Sequence, residues 1–148
     1  MSSFVSRWVV LQDHAVAPDD LDANGTVRDG VLAGWITDAR NDYLDLCHEL
    51  RARQRAGLLI RMADVDAPAG ALRGGPTTVS VSAGATEFFP TSVTMAFRVR
   101  SYGSTDDTVC NLTGAVSLED PRTGEAQELG DAIRDQLIAL EHAARHTN

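Results

Sequence analysis

A chain of 148 residues suits a single fold with one sizeable core. It is 43% hydrophobic and 23% charged, as soluble globular proteins are, and no apolar run approaches the ~20 residues that span a bilayer. The net charge of −8 argues against a nucleic-acid partner, and all 13 basic residues are arginines, so a polyanionic ligand would need arginines placed locally.

The opening stretch, Met1 to Asp20, has no basic segment leading into an apolar one, so no export signal is expected and the cytoplasm is the expected compartment. Cys47 and Cys110 have neither disulfide-framework nor zinc-site spacing, and free thiols without a metal are expected. With no repeat and no linker-like tract, residues 1–148 are read as one domain.

Arg7 to Ala17, rich in Val and Trp and ending at Pro18, predicts a strand. A polar loop follows, "DDLDANGTVRDG", Asp19 to Gly30. From Val27 to about Leu50 the apolar period becomes helical. Val31, Leu32, Trp35, Ile36, Ala39, Tyr43, Leu44, Cys47 and Leu50 recur at three- and four-residue steps. That predicts one long helix of about six turns over 27–50, with Trp35 and Tyr43 in the core. Acids ahead of it and Arg51, Arg53 and Arg55 at its end suit the helix dipole.

Leu58 to Asp66 predicts a short strand, and Ala67 to Pro76 a loop. Three period-two runs follow, Thr77 to Phe88, Thr91 to Tyr102 and Thr108 to Glu119, joined by hairpin-sized turns. Gly130-Asp131 then opens a second amphipathic helix over about 131–146, with Ile133, Leu137, Ile138 and Leu140 on its apolar side. One long helix among hairpin-linked strands predicts an α+β fold, in which a curved antiparallel sheet buries the helix stripe.

"DLDANGTV" followed by "GWITDARNDYLD" resembles the hotdog-fold acyl-CoA thioesterases of the 4-hydroxybenzoyl-CoA thioesterase type. The residues that carry the likeness are Asp20, Asp22, Gly25, Asp38-Ala39-Arg40 and Tyr43-Leu44. "TSVTMAFRVR" and the strand ending in "LEDPRTGE" are similar to the last strands of that family. The likeness covers most of Arg7 to Glu128. Thr26 stands where the family often has His, and Arg28-Asp29-Gly30 where it often has Asn or aromatic residues.

The resemblance implies hydrolysis of an acyl-CoA or acyl-carrier thioester, with coenzyme A as part of the substrate and no separate cofactor. It implies a homodimer or homotetramer. Asp22 takes the position of the family's carboxylate, which attacks the thioester carbon or activates water. The backbone N–H groups of Asp29 and Gly30 are the implied oxyanion donors, because a helix leaves its first N–H groups unpaired. Asn24, Gly25 and Thr26 are candidate substrate contacts.

Each candidate also has a plainer role. Asp22 can close a turn or cap the helix, and Asn24-Gly25 is a common turn pair. Arg73, Arg98 and Arg100 are candidate clamps for CoA phosphates, but a strand-borne Arg98 and Arg100 also suit a solvated sheet face. His14 suits a strand face or an interface. The alternative function is a non-catalytic module that binds or senses acyl-CoA. A dehydratase would want a His near the loop, which this chain lacks.

Overall fold

The computed structural model describes residues 8–63, 65, 70–105 and 107–146. Arg7, Asp64, Asp66, residues 67–69 and Asp106, which the sequence reading assigned to strands and turns, lie outside them.

In chain order the elements are β1 (Val10–Ala15), a 3-10 turn (Pro18–Asp20), α1 (Asp29–Asp45), α2 (His48–Arg55), β2 (Leu59–Ala63), β3 (Thr78–Phe88), β4 (Val93–Tyr102), β5 (Val109–Glu119), β6 (Ala126–Gln127) and α3 (Gly130–His146). The sheet runs β1-β3-β4-β5-β2 with every pair antiparallel. The short β6, which the period-two pattern does not reveal, pairs with Leu118 and Glu119 of β5 beyond the point where β4 stops.

Period two gives β3 and β4 one inward row each. Val79, Val81, Ala83 and Ala85 stand beside Val93, Met95, Phe97 and Val99, all buried. From α1, Leu32, Ile36, Ala39, Tyr43 and Leu44 meet them. Each large side chain buried this way is worth about 1.5–3 kcal/mol. The alanines at 39, 83 and 85 keep the helix close to the strands. A bulge in β3 between Ala85 and Glu87 bends the sheet around the helix.

The expected helix over 27–50 is two helices. α1 ends where Leu46 N–H bonds to Tyr43 O at 3.1 Å and Cys47 N–H to Leu44 O at 3.0 Å, a tightened last turn. Cys47 is then extended, with φ −100° and ψ 94°. The acceptor at the start of α2 comes from α3: Gln136 Oε1 accepts Glu49 N–H at 3.1 Å and the Cys47 thiol at 3.2 Å. Arg51 reaches back to Asn41 O (3.1 Å) and Asp45 (2.8 Å) at the end of α1. Leu44, Cys47 and Leu50 all stay buried across the break, so the apolar period carries no trace of it.

On α3 the buried positions are Ile133, Leu137 and Glu141. Ile138, expected on the apolar side, is exposed, because it follows Ile133 by five residues and so lies off that stripe.

Candidate active site at the start of the central helix

The loop from Leu21 to Val27 is a narrow hairpin, bridged at Leu21 and Val27 and closed by Asp22 N–H to Thr26 O at 2.8 Å. The half-buried Asp22 carboxylate locks it from inside. Its Oδ1 accepts the N–H groups of Asn24 (2.8 Å) and Thr26 (3.0 Å), as turn-forming aspartates do. Its Oδ2 takes no hydrogen bond from the described residues. Asp20 shapes the preceding turn, with Oδ2 accepting Ala17 N–H at 2.9 Å.

Gly25 is at φ +76°, which favours glycine, and a Cβ there would sit 3.5 Å from Gly75 N. Gly75 N–H bonds to Gly25 O at 2.9 Å and Val27 N–H to Leu72 O at 2.9 Å. These bonds hold the Arg73-Gly74-Gly75 segment against the hairpin, with Arg73 exposed beside it. Asn24 is exposed, and Thr26 is half-buried.

Arg28 precedes α1, and its N–H bonds to Asp20 O at 2.9 Å. Its guanidinium turns back to the loop, Nε to Asp19 O at 3.2 Å. Asp29 and Gly30 follow as exposed residues of the first turn of α1, and their N–H groups have no acceptor among the described residues. The first intrahelical acceptor, Arg28 O, takes Val31 and Leu32 instead.

From Asp29 an apolar groove of about 230 Å³ runs along α1, lined by Asp29, Leu32, Ala33, Ile36 and Thr37 and, across from them, Met62 and Val65. This lining is not legible in the sequence. Of the α1 residues only Leu32 and Ile36 belong to the core stripe, and Met62 and Val65 come from the end of β2 and just beyond it, some thirty residues later. The Asp22 carboxylate does not line the groove, and no hydrogen bond joins it to Asp29 or Gly30.

Arg98 and Arg100 are elsewhere. They stand on the sheet face away from α1, where a trough of about 500 Å³ is lined by Trp8, Leu11, Asp13, Thr78, Ser80, Ser82, Arg98, Arg100 and Tyr102. Arg98 lies 5.8 Å from the Trp8 ring, and Arg100 lies 5.1 Å from that of Tyr102. Nothing in this trough is shared with the groove beside α1. His14 stacks on Trp35 at 5.0 Å and bonds to Gln12, so it is part of the β1–α1 packing.

This architecture is that of known structures. A thioesterase from Thermus thermophilus, complexed with coenzyme A and Zn, superposes with a TM-score of 0.65 over 91% of this chain and 96% of its own, at 24% identity. The hotdog assignment made from the loop and helix motifs holds in three dimensions. This chain has the hotdog fold. The dynemicin thioesterase gives a TM-score of 0.69 at 19% identity over 88% of this chain and 95% of its own. A DHNA-CoA thioesterase from Staphylococcus aureus gives 0.63 at 14% over 90% and 86%. No protein-family model and no curated protein matches the sequence. No helix among the described residues is long and apolar enough to cross a membrane.

Proposed function

We propose that this hotdog protein is a thioesterase that hydrolyses an acyl-CoA or acyl-carrier thioester. The observation that carries the reading is the start of α1. Two N–H groups without acceptors among the described residues open beside an apolar groove, next to a turn that holds a carboxylate with one oxygen that those residues leave unengaged. The thioesterases with which the chain shares its fold support it.

The acyl chain lies in the groove, and the thioester oxygen faces Asp29 N–H and Gly30 N–H. Asp22 either attacks the carbonyl carbon or takes a proton from an attacking water. In the first case the C–S bond breaks, CoA leaves as the thiolate and takes up a proton, and water then hydrolyses the mixed anhydride. Each backbone donor on the developing oxyanion is worth about 3–4 kcal/mol. Asn24, Gly25 and Thr26 flank the substrate, and Arg73 is the nearest candidate for a CoA phosphate. Arg98 and Arg100 would meet only a phosphate that reaches the outer sheet face. The protein works in the cytoplasm without a cofactor of its own, and as a homodimer or homotetramer.

A panel of acyl-CoA thioesters with a thiol-trapping dye, beside Asp22→Asn, tests the mechanism. Turnover that survives Asp22→Asn unchanged would sink it. One observation favours a second reading, an acyl-CoA-binding module. The exposed Asp29 carboxylate stands on the residue whose N–H would face the oxyanion, and like charges repel. Tight acyl-CoA binding with no turnover would select that module.

A further inference from the structure

One wall of the groove rests on a residue outside it. Gly114 lies on β5 in the inward row Leu112, Gly114, Val116, Leu118. Its three companions bury branched side chains. At 114 that space belongs to β2 and its continuation. A Cβ there would stand 2.4 Å from Val65 Cγ2, 3.1 Å from Met62 Cγ and 3.3 Å from Ala63 O.

The backbone at 114 is ordinary strand, paired with Met95 of β4, so glycine is needed there for room and not for conformation. Met62 and Val65 are the two residues that face Leu32, Ala33 and Ile36 across the groove.

We propose that Gly114 is a positioning residue that sets the width of the acyl groove. By having no side chain it lets Val65 and Met62 settle onto β5 and leaves the space in front of α1 open. A side chain at 114 enters behind this wall and pushes it toward α1. Beyond Asp29, where the groove begins, the described lining is apolar with one hydroxyl, Thr37, so the group admitted is an aliphatic acyl chain. The inference rests on the groove being the acyl site of the thioesterase proposed above, and adds the residue that gauges it.

The test is kcat/KM over straight-chain acyl-CoAs from acetyl to dodecanoyl for the wild type, Gly114→Ala, Val65→Ala and the double variant. Thermal melts accompany each to confirm folding. Gly114→Ala should lower the ratio of decanoyl to acetyl turnover by about tenfold or more, the scale on which pockets discriminate by a methylene or two. Val65→Ala in the same chain should restore the ratio, because it removes the methyl that the new Cβ meets. Val65→Ala alone should shift the preference toward bulkier, branched acyl groups. A chain-length profile parallel to wild type in Gly114→Ala, or no rescue in the double variant, overturns the inference.

If the wild type turns over no acyl-CoA, the thioesterase reading fails. The wall is then judged by calorimetric binding of decanoyl-CoA against CoA, in which Gly114→Ala should weaken only the former. Equal affinities for decanoyl-CoA in the two proteins overturn it.

Discussion

Tyr43 Oη donates a 2.7 Å hydrogen bond to Glu141 Oε2, joining the last turn of α1 to α3 across 98 positions of sequence. The same oxygen accepts Ala85 N–H at 2.9 Å. β1 pairs with β3 only as far as Ala83, so Glu141 supplies the acceptor that a longer β1 would have given. Tyr43→Phe should cost about 1–3 kcal/mol, because Glu141 keeps one of its two donors. Glu141→Ala strands both donors and should cost more, about 2–5 kcal/mol. Urea unfolding of both variants checks the order, and equal losses would refute it.

The same contact predicts an alkaline limit. Burial first, and the Glu141 hydrogen bond and charge next, push the Tyr43 phenol far above its ordinary value of 10.0. A raised pKa favours the protonated phenol in the folded state. Its contribution is therefore complete below the unfolded pKa, and is lost as pH rises above about 10, where the unfolded chain binds fewer protons. Melting temperature should fall steeply above pH ~10, and Tyr43→Phe should flatten that fall. A slope unchanged in Tyr43→Phe would count against it.

Asp22 holds its turn with one oxygen, so substitutions there should separate fold from chemistry. Asp22→Asn retains an acceptor for Asn24 and Thr26 N–H and should unfold within about 1 kcal/mol of wild type. Asp22→Ala loses both bonds and should cost about 1–3 kcal/mol. Thioester turnover should fall by about 10²–10⁴ in both. Denaturation beside steady-state kinetics reads the two effects separately, and parallel losses would show that Asp22 is only a turn residue.

A side chain at Gly25 should strain the backbone there. Alanine at φ +76° costs about 1–2 kcal/mol in backbone strain and brings a Cβ to 3.5 Å from Gly75 N. Gly25→Ala should lower the melting temperature and weaken amide protection at Gly75, whose N–H bonds to Gly25 O. Unchanged protection at Gly75 would break the link between the two loops.

Gln136→Ala removes the acceptor for Glu49 N–H and should cost about 1 kcal/mol, as the loss of a helix cap does. Hydrogen exchange should quicken in α2 before it quickens in α1. Equal protection of α2 in both proteins would discount the cap.

Much of this fold is legible in the sequence, because period two and period 3.6 answer to burial on one face. The rows Val79-Val81-Ala83 and Val93-Met95-Phe97-Val99 read directly as inward strands. The break at Cys47 does not, because Leu44, Cys47 and Leu50 keep step across it while the cap is supplied by Gln136. Ile138 misleads because it is apolar yet lies off the buried stripe of α3, whose next position is held by a charged residue, Glu141. At the site, the acids and the helix start are local and visible. The groove is a product of folding, since Met62 and Val65 meet Leu32 and Ile36 only once β2 has joined the sheet. Arg98 and Arg100 share a strand face by spacing, but which side of the sheet that face is on depends on where α1 packs.

The Gln136 contact also bears on the order in which the molecule is completed. An eight-residue helix is too short to persist alone in water. α2 waits for an acceptor encoded 87 residues after Glu49, although its own sequence leaves the ribosome early. A nascent chain that has emerged as far as β5 already carries all of α1 and every long strand, while its second helix is still unfinished. A helix synthesised much later thus completes one made long before it.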